Sequence, residues 1–366
     1  MNSRVFALAL IAMSYGSNGE TLNVSDRLER IRERHGVPGM AAAAVRHGRI
    51  FATGAAGLRK AGGDEMVTLD DRWHLGSCTK SMTAALVAML IEDGALRWDS
   101  SIGEILPDVP MEPAWCKVTL EQLLQHRGGA PQDPPPDLWE SARERVGNPT
   151  EQRLAFVQGI LSRKPEHAPG TRWIYSDTGY AVVGAMIEKV TGEPWEKVIQ
   201  RRLFLPLALE SAGFGEPAAP GEVDQPWGHS GDDQPFVPVE PGPEADNPPA
   251  IAPAATVHMT ILDFARYAAW QVAEGRGGES GLISEESFAH LHTPPSSQGY
   301  AMGWAVTRRR WAGGTALMHT GENGSFYAVM WVSPRKNTAF VATCNADGYQ
   351  AEDACDQAVK MLINEL

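Results

Sequence analysis

Leu75-Gly-Ser-Cys-Thr-Lys-Ser-Met82 (LGSCTKSM) decides the reading of this chain. Within it, Ser77-Cys78-Thr79-Lys80 is an S-x-x-K that follows Gly76 and opens a helix running from Leu75 to Gly94, with Met82, Leu86, Met89 and Leu90 on one face. Residues three apart on a helix face the same way, so Lys80 belongs beside the Ser77 hydroxyl. A helix N-terminus also turns backbone N–H groups and partial positive charge toward any oxyanion formed there. A hydroxyl, an adjacent amine and a built-in donor are what an activated serine needs. A second S-x-x-K, Ser333-Pro-Arg-Lys336, follows a strand and contains proline, so it reads as a turn.

Outward from this point, Tyr175-Ser176-Asp177 follows Pro169-Gly170-Thr171 and precedes a helix. A tyrosine there shuttles a proton if a nearby ammonium lowers its pKa. His319-Thr320-Gly321 closes a strand, and its glycine would let a substrate backbone approach the strand edge. Residues 24–36 read as an amphipathic helix stopped by Gly36 and Pro38; 39–47 and 50–57 read as two strands joined at His47-Gly48. Helices are expected at 118–124, 149–163, 177–192 (with Gly192 as C-cap) and 260–274. Residues 299–307, 314–319, 325–333 and 338–344 read as strands, and Asp353 to Leu366 as a closing helix. The economical fold is α+β (or α/β): one antiparallel sheet built from both chain ends and flanked by helices, with a mostly helical insertion. The implied division is a sheet domain of 20–85 and 255–366 and a helical domain of 86–254. The latter carries a Pro/Gly-rich loop at 215–253, long enough to cover a site.

Composition excludes several classes. The 366 residues are 43% hydrophobic and 21% charged, those of an ordinary globular protein. A net charge of −13 repels nucleic acid and anionic membrane surfaces. Four scattered cysteines, at 78, 116, 344 and 355, make neither a disulfide scaffold nor a zinc ribbon, although a Cys344–Cys355 bridge stays open. His290 and His292 would diverge on a helix, so no metal site is expected. Met1-Asn-Ser-Arg4, the apolar run Val5 to Met13 and the small polar Ser14 to Gly19 have the layout of a secretory signal peptide over 1–19, pointing to a periplasmic or secreted protein with no membrane span. There is no G-x-S-x-G, no phosphate-binding P-loop and no H-E-x-x-H.

The three motifs in this order resemble the serine β-lactamase and penicillin-binding superfamily. The nearest branch is the one joining class C β-lactamases, D-alanyl-D-alanine carboxypeptidases, D-aminopeptidases and family VIII carboxylesterases. The resemblance runs from about Val24 to the C-terminus and includes Leu123 to Gly129 (LLQHRGG), Pro169 to Gly184 (PGTRWIYSDTGYAVVG), Leu203 to Leu209 and Pro253 to Tyr267. It implies a β-lactamase-like fold and an acyl-enzyme on Ser77. Lys80 takes or steers the serine proton, and Tyr175 acts as general base and acid. The N–H groups of Ser77 and Glu322 form an oxyanion hole beside Gly321. No cofactor is implied.

Two positions depart from the family pattern. Asp177 stands where an asparagine is usual; a carboxylate cannot donate to a substrate carbonyl but can pair with Lys80. His319 stands where β-lactamases have a lysine, and a neutral histidine attracts a substrate carboxylate poorly. These favour a carboxylesterase-like hydrolase of small esters, amides or peptides. The alternatives are a β-lactamase, a D,D-carboxypeptidase or D-aminopeptidase, and a catalytically weak binding homologue. Cys78 reads as packing and His126 as structural; Trp304, in Gly299 to Trp304 (GYAMGW), reads as the best candidate for lining an acyl pocket.

Overall fold

The computed structural model describes residues 21–231, 235–273, 281–295 and 299–366; the expected leader lies outside them. Seven strands form the main sheet, in spatial order Leu22–Asn23, Arg49–Gly57, Gly39–Arg46, Thr338–Cys344, Tyr327–Ser333, Gly314–Glu322 and Ala305–Arg309. Gly39–Arg46 runs antiparallel to Thr338–Cys344, with Met40 opposite Cys344 and Arg46 opposite Thr338, so the two chain ends are joined in one sheet. The expectation of a wholly antiparallel sheet needs one correction. Leu22–Asn23 pairs parallel with Arg49–Gly57; two exposed residues offer no alternation to read.

The inner strands read as continuous apolar runs because both faces of the sheet are covered. Ala41, Ala43 and Val45 enter the main core on one face. Met40, Ala42 and Ala44 enter a second core on the other, beneath the Ser25–His35 and Tyr349–Ile363 helices, where they meet Leu28, Ala354, Val359 and Leu362. That is the period of two expected of a strand. A fully buried valine or leucine contributes about 1.5–3 kcal/mol; the alanines contribute less each, but let the helices approach closely.

The Thr79–Glu92 helix is buried from Thr79 through Leu90, so it is a central core helix, with more than the one apolar face read from its spacing. Its Met82 and Leu86 share one core with Val341 of the sheet, Phe264 of the Ile261–Ala273 helix, Leu123 of the Leu120–Leu124 helix and Val182 of the Asp177–Thr191 helix. Gly192 caps the Asp177–Thr191 helix in the left-handed conformation (φ 70°), its N–H bonded to Glu188 O.

Three further features differ from expectation. A small sheet of Arg72–His74, Val257–Thr260 and Gly213–Phe214 delivers the chain to Ser77; strands this short carry no readable period. Residues 299–304 form a loop, and the strand begins at Ala305, because Gly299 and Gly303 take φ of 71° and 76°. A Cβ on Gly303 would lie 2.6 Å from Ser81 Cα, so only glycine lets this loop pack on the central helix. The last helix starts at Tyr349, ahead of Asp353, and ends at Ile363. The 215–253 stretch is mostly irregular in its described residues, with one short antiparallel pair, His229–Ser230 with Val237–Pro238. Cys344 and Cys355 are both free thiols, so they form no bridge. Among the described residues no helix is long and apolar enough to cross a membrane.

Candidate active site

Ser77 sits in a 3-10 turn, Gly76–Cys78, that runs straight into the Thr79–Glu92 helix. Gly76 has φ 46°, and a Cβ there would fall 2.3 Å from Glu322 N. A Cβ on Gly321 would fall 2.0 Å from Leu75 O and 2.7 Å from Ser77 N. Both glycines are therefore fixed by the same close approach, which brings the backbone amides of Ser77 and Glu322 onto adjoining segments. Cys78 is buried, its thiol 3.5 Å from His319 O and pushed well up by burial, which makes it inert packing.

Lys80 is fully buried and donates to Ser77 Oγ at 2.8 Å and to Ala254 O at 3.2 Å; its Nζ pairs with Asp177 at 2.5 Å. Burial lowers its pKa, and the Asp177 carboxylate opposes that shift. Ser176 is the N-cap of the Asp177–Thr191 helix, its Oγ accepting from Gly179 N at 3.2 Å. The Tyr-x-Asp spacing thus straddles the helix start, so Tyr175 and Asp177 both reach the lysine. Lys80 Nζ lies 4.6 Å from the Tyr175 ring centre. The condition set for a Tyr175 shuttle, a pKa lowered by the ammonium, is not met: burial raises it well above 10, Asp177 adds to that, and a hydrogen bond with Ser77 only partly offsets them. Tyr175 rests as a neutral phenol.

His319 is buried, and its pKa falls to about 4 through burial and then the nearby Lys80 charge. Its partner was not singled out in the sequence. Tyr300, also buried, stands between His319 Nε2 (3.1 Å) and His126 Nε2 (3.2 Å). One set of hydrogen positions satisfies this chain. Ser176 N–H donates to His126 Nδ1 at 3.1 Å, so His126 carries its proton on Nε2 and donates to Tyr300. Tyr300 donates to His319 Nε2, and His319 Nδ1 donates to Thr320 O. His126 also takes φ 57° and accepts Ile174 N–H at its own carbonyl, bracing the Tyr175 loop from backbone and ring. Tyr300 lies in the GYAMGW stretch whose tryptophan drew attention; no spacing rule separates the two aromatics. Trp304 itself is 1% exposed and packs in the main core with its ring against His292, so it presents no surface to a substrate here. Glu322 is exposed, its carboxyl raised by partial burial and by Asp347.

Among the described residues no three His, Cys, Asp or Glu side chains gather as metal ligands. His290 pairs with Glu121 at 2.9 Å, while His292 contacts Gln271 at 3.1 Å.

The Beta-lactamase family model matches residues 24–363. Penicillin-binding protein 4 of Amycolatopsis lactamdurans is 28% identical over 356 residues, spanning 93% of this chain and 89% of that protein. Lovastatin esterase of Penicillium rubens is 29% identical over 164 residues, 40% of each. Among solved structures, the octameric penicillin-binding protein homologue from Pyrococcus abyssi superposes with a TM-score of 0.75 at 24% identity, covering 93% of this chain and 77% of that one. The chain belongs to the beta-lactamase family, within the β-lactamase and penicillin-binding-protein-like superfamily of serine hydrolases.

Proposed function

We propose that the protein is a serine hydrolase acting through a Ser77 acyl-enzyme on small esters or amides, with a carboxylesterase-like preference. The observation that carries the reading is the 2.8 Å hydrogen bond between Lys80 Nζ and Ser77 Oγ inside a buried site. In the neutral amine form, Lys80 takes the Ser77 proton as Oγ attacks the substrate carbonyl. The N–H groups of Ser77 and Glu322 receive the oxyanion, and losing one such donor typically costs about 10²–10³ in rate. As the tetrahedral intermediate collapses, the leaving oxygen or nitrogen takes a proton from the Tyr175 hydroxyl, which Lys80 restores. Water then repeats the sequence on the acyl-enzyme, giving up one proton by the same route and releasing the acid.

Substrate preference rests on His319 and Asp177. A buried imidazole kept neutral by its burial and by the nearby Lys80 charge presents no cation to a substrate carboxylate. Asp177 occupies its carboxylate with Lys80 and has no amide to offer an acylamino side chain. Both features disfavour β-lactams and the C-terminal carboxylate of a peptidoglycan stem. The likeness to a penicillin-binding protein over most of the chain supports a β-lactamase or D,D-peptidase as the second reading.

Turnover of p-nitrophenyl butyrate and of nitrocefin, with Ser77→Ala as control, separates them. Ester turnover that vanishes in the variant, with nitrocefin slow, is the expected result. Fast Ser77-dependent nitrocefin turnover overturns the substrate preference, and no Ser77-dependent reaction with either substrate or a fluorophosphonate probe overturns the acyl-enzyme.

A further inference from the structure

Behind the serine turn lies a buried polar cluster that the proposed chemistry leaves unused. His74 is fully buried on the strand that runs into Gly76, and its Nδ1 accepts the Gly76 N–H at 3.1 Å. Nδ1 accordingly carries no proton, and Nε2 holds the N–H of the ring. That Nε2 lies 3.0 Å from Asp246 Oδ1. The same oxygen accepts from Asn323 Nδ2 at 3.2 Å, and Asn323 also donates to Glu216 at 3.3 Å. Asn323 follows Glu322 directly. Its own Oδ1 accepts the N–H groups of Ser325 (3.2 Å) and Phe326 (3.0 Å), which fixes the turn between Gly314–Glu322 and Tyr327–Ser333.

Asp246 and Glu216 both belong to the long 215–253 segment, near its opposite ends. Burial raises the Asp246 carboxyl, but His74 and Asn323 outweigh that and hold it below the ordinary aspartate range. Burial pushes Glu216 up to about 7. Asp246 is thus the lasting anion at the centre of the cluster. Gly76 on one side and Asn323 on the other are each one residue from a proposed oxyanion donor.

We propose that Asp246 is a positioning residue for the oxyanion hole: one of its carboxylate oxygens cross-links the strand entering the Ser77 turn, through His74, to the residue after Glu322, through Asn323. The inference rests on the acyl-enzyme reading above. It makes the 215–253 segment a strap that sets the spacing of two amides, in place of a cover over the site. The spacing matters because donors act only at about 2.7–3.1 Å from the developing oxyanion, and a misplacement of about 1 Å costs about 10²-fold.

The test measures the rate of Ser77 labelling by a fluorophosphonate, with kcat and KM for p-nitrophenyl butyrate, in the full chain. Asp246→Ala is expected to lower labelling and kcat about 10²-fold, with KM within about threefold and a cooperative thermal melt retained. Asp246→Asn, whose amide oxygen can still accept from Asn323 and face His74 Nε2, should recover about tenfold of that loss, and Asp246→Ala/Asn323→Ala should be no worse than the worse single variant. An unchanged labelling rate in Asp246→Ala, equal losses in the alanine and asparagine variants, or a change confined to KM overturns the proposal. If Asp246→Ala does not fold, Asn323→Ala decides: a fall of about tenfold in labelling supports the cross-link, and an unchanged rate overturns it. Ser77→Ala reads the underlying chemistry separately. Wild-type labelling that persists in it refutes the acyl-enzyme, whereas specific labelling with normal Asp246 variants refutes only the positioning.

Discussion

Lys80 and Arg153 are both fully buried cations, and they are buried for different ends. Arg153, in the Pro149–Leu161 helix, donates to Glu188, to Glu196 at 2.5 Å and to Pro249 O at 3.0 Å. Glu188 is itself tied to Thr150 at 2.9 Å and to Trp195 N at 3.0 Å. Two carboxylates surround a guanidinium that does not give up its proton. Lys80 has one carboxylate, that of Asp177, whose side chain is 33% exposed, and spends its other bonds on a hydroxyl and a carbonyl. Burial pulls its pKa down and a single partly solvated anion resists. The first arrangement locks a charge; the second leaves one that can be given up. Both cations hold carbonyls of one short stretch, Pro249 and Ala254, so the same backbone is pinned at one end by the locked guanidinium and at the other by the amine of the proposed chemistry.

Changing each cation to methionine is the hardest test of that contrast. Lys80→Met should cost about 10²–10⁴ in kcat on p-nitrophenyl butyrate, with the melting temperature within a few degrees, since the partly exposed Asp177 can turn to water. Arg153→Met should do the reverse: it strands two carboxylates in the interior and costs about 3–5 kcal/mol in denaturant unfolding. Its folded fraction should keep kcat within about tenfold. A strongly destabilised Lys80→Met beside a stable, inactive Arg153→Met would break the comparison.

A smaller effect is expected where no charge is involved. Tyr300→Phe removes the hydroxyl between His126 and His319, leaving a buried donor on one ring and a buried acceptor on the other. Such a loss costs about 1–3 kcal/mol. Because the chain links the Tyr175 loop to the His-Thr-Gly strand, kcat should also fall about fivefold, read in the same assay with a thermal melt beside it. A wild-type melt and rate would mean that the two elements are held without Tyr300.

These residues were unequally legible in the sequence. Ser77 and Lys80 lie three apart at a helix start, and Tyr175 and Asp177 straddle another, so local geometry alone places each pair. The strands at both chain ends show as apolar runs, which is enough to join them in one sheet. His74, Asp246 and Asn323 are separated by long stretches of chain and meet only through the tertiary fold. Their surroundings, a three-residue strand and a Pro/Gly-rich strap, have no period to read. Tyr300 is hidden for a related reason: two left-handed glycines turn its segment from a strand into a loop packed on the central helix. The depth of Tyr175 is equally hidden: the sequence shows its neighbouring charges and not the burial that raises its pKa.

Asp177→Asn gives the finest probe of how Lys80 differs from Arg153. The carboxylate raises the lysine pKa against burial, which lowers it. Removing it lets the pKa fall further. On the proposed mechanism the active form is the neutral amine, so activity rises with pH through this pKa, and a lower pKa moves the acid limb of kcat/KM to lower pH. On that limb, at a fixed pH, ester turnover should therefore increase by a few-fold, as about 1.4 kcal/mol corresponds to one pH unit. The new amide also offers a donor to an acylamino carbonyl, so penicillin should acylate Ser77 faster than it does the wild type. A limb that stays in place, or moves up, would show that Asp177 does not govern the lysine. A limb that moves down with no gain in penicillin acylation would separate the two roles, leaving Asp177 as the lysine's counter-ion and placing the barrier to β-lactams elsewhere, with His319 as the next residue to change.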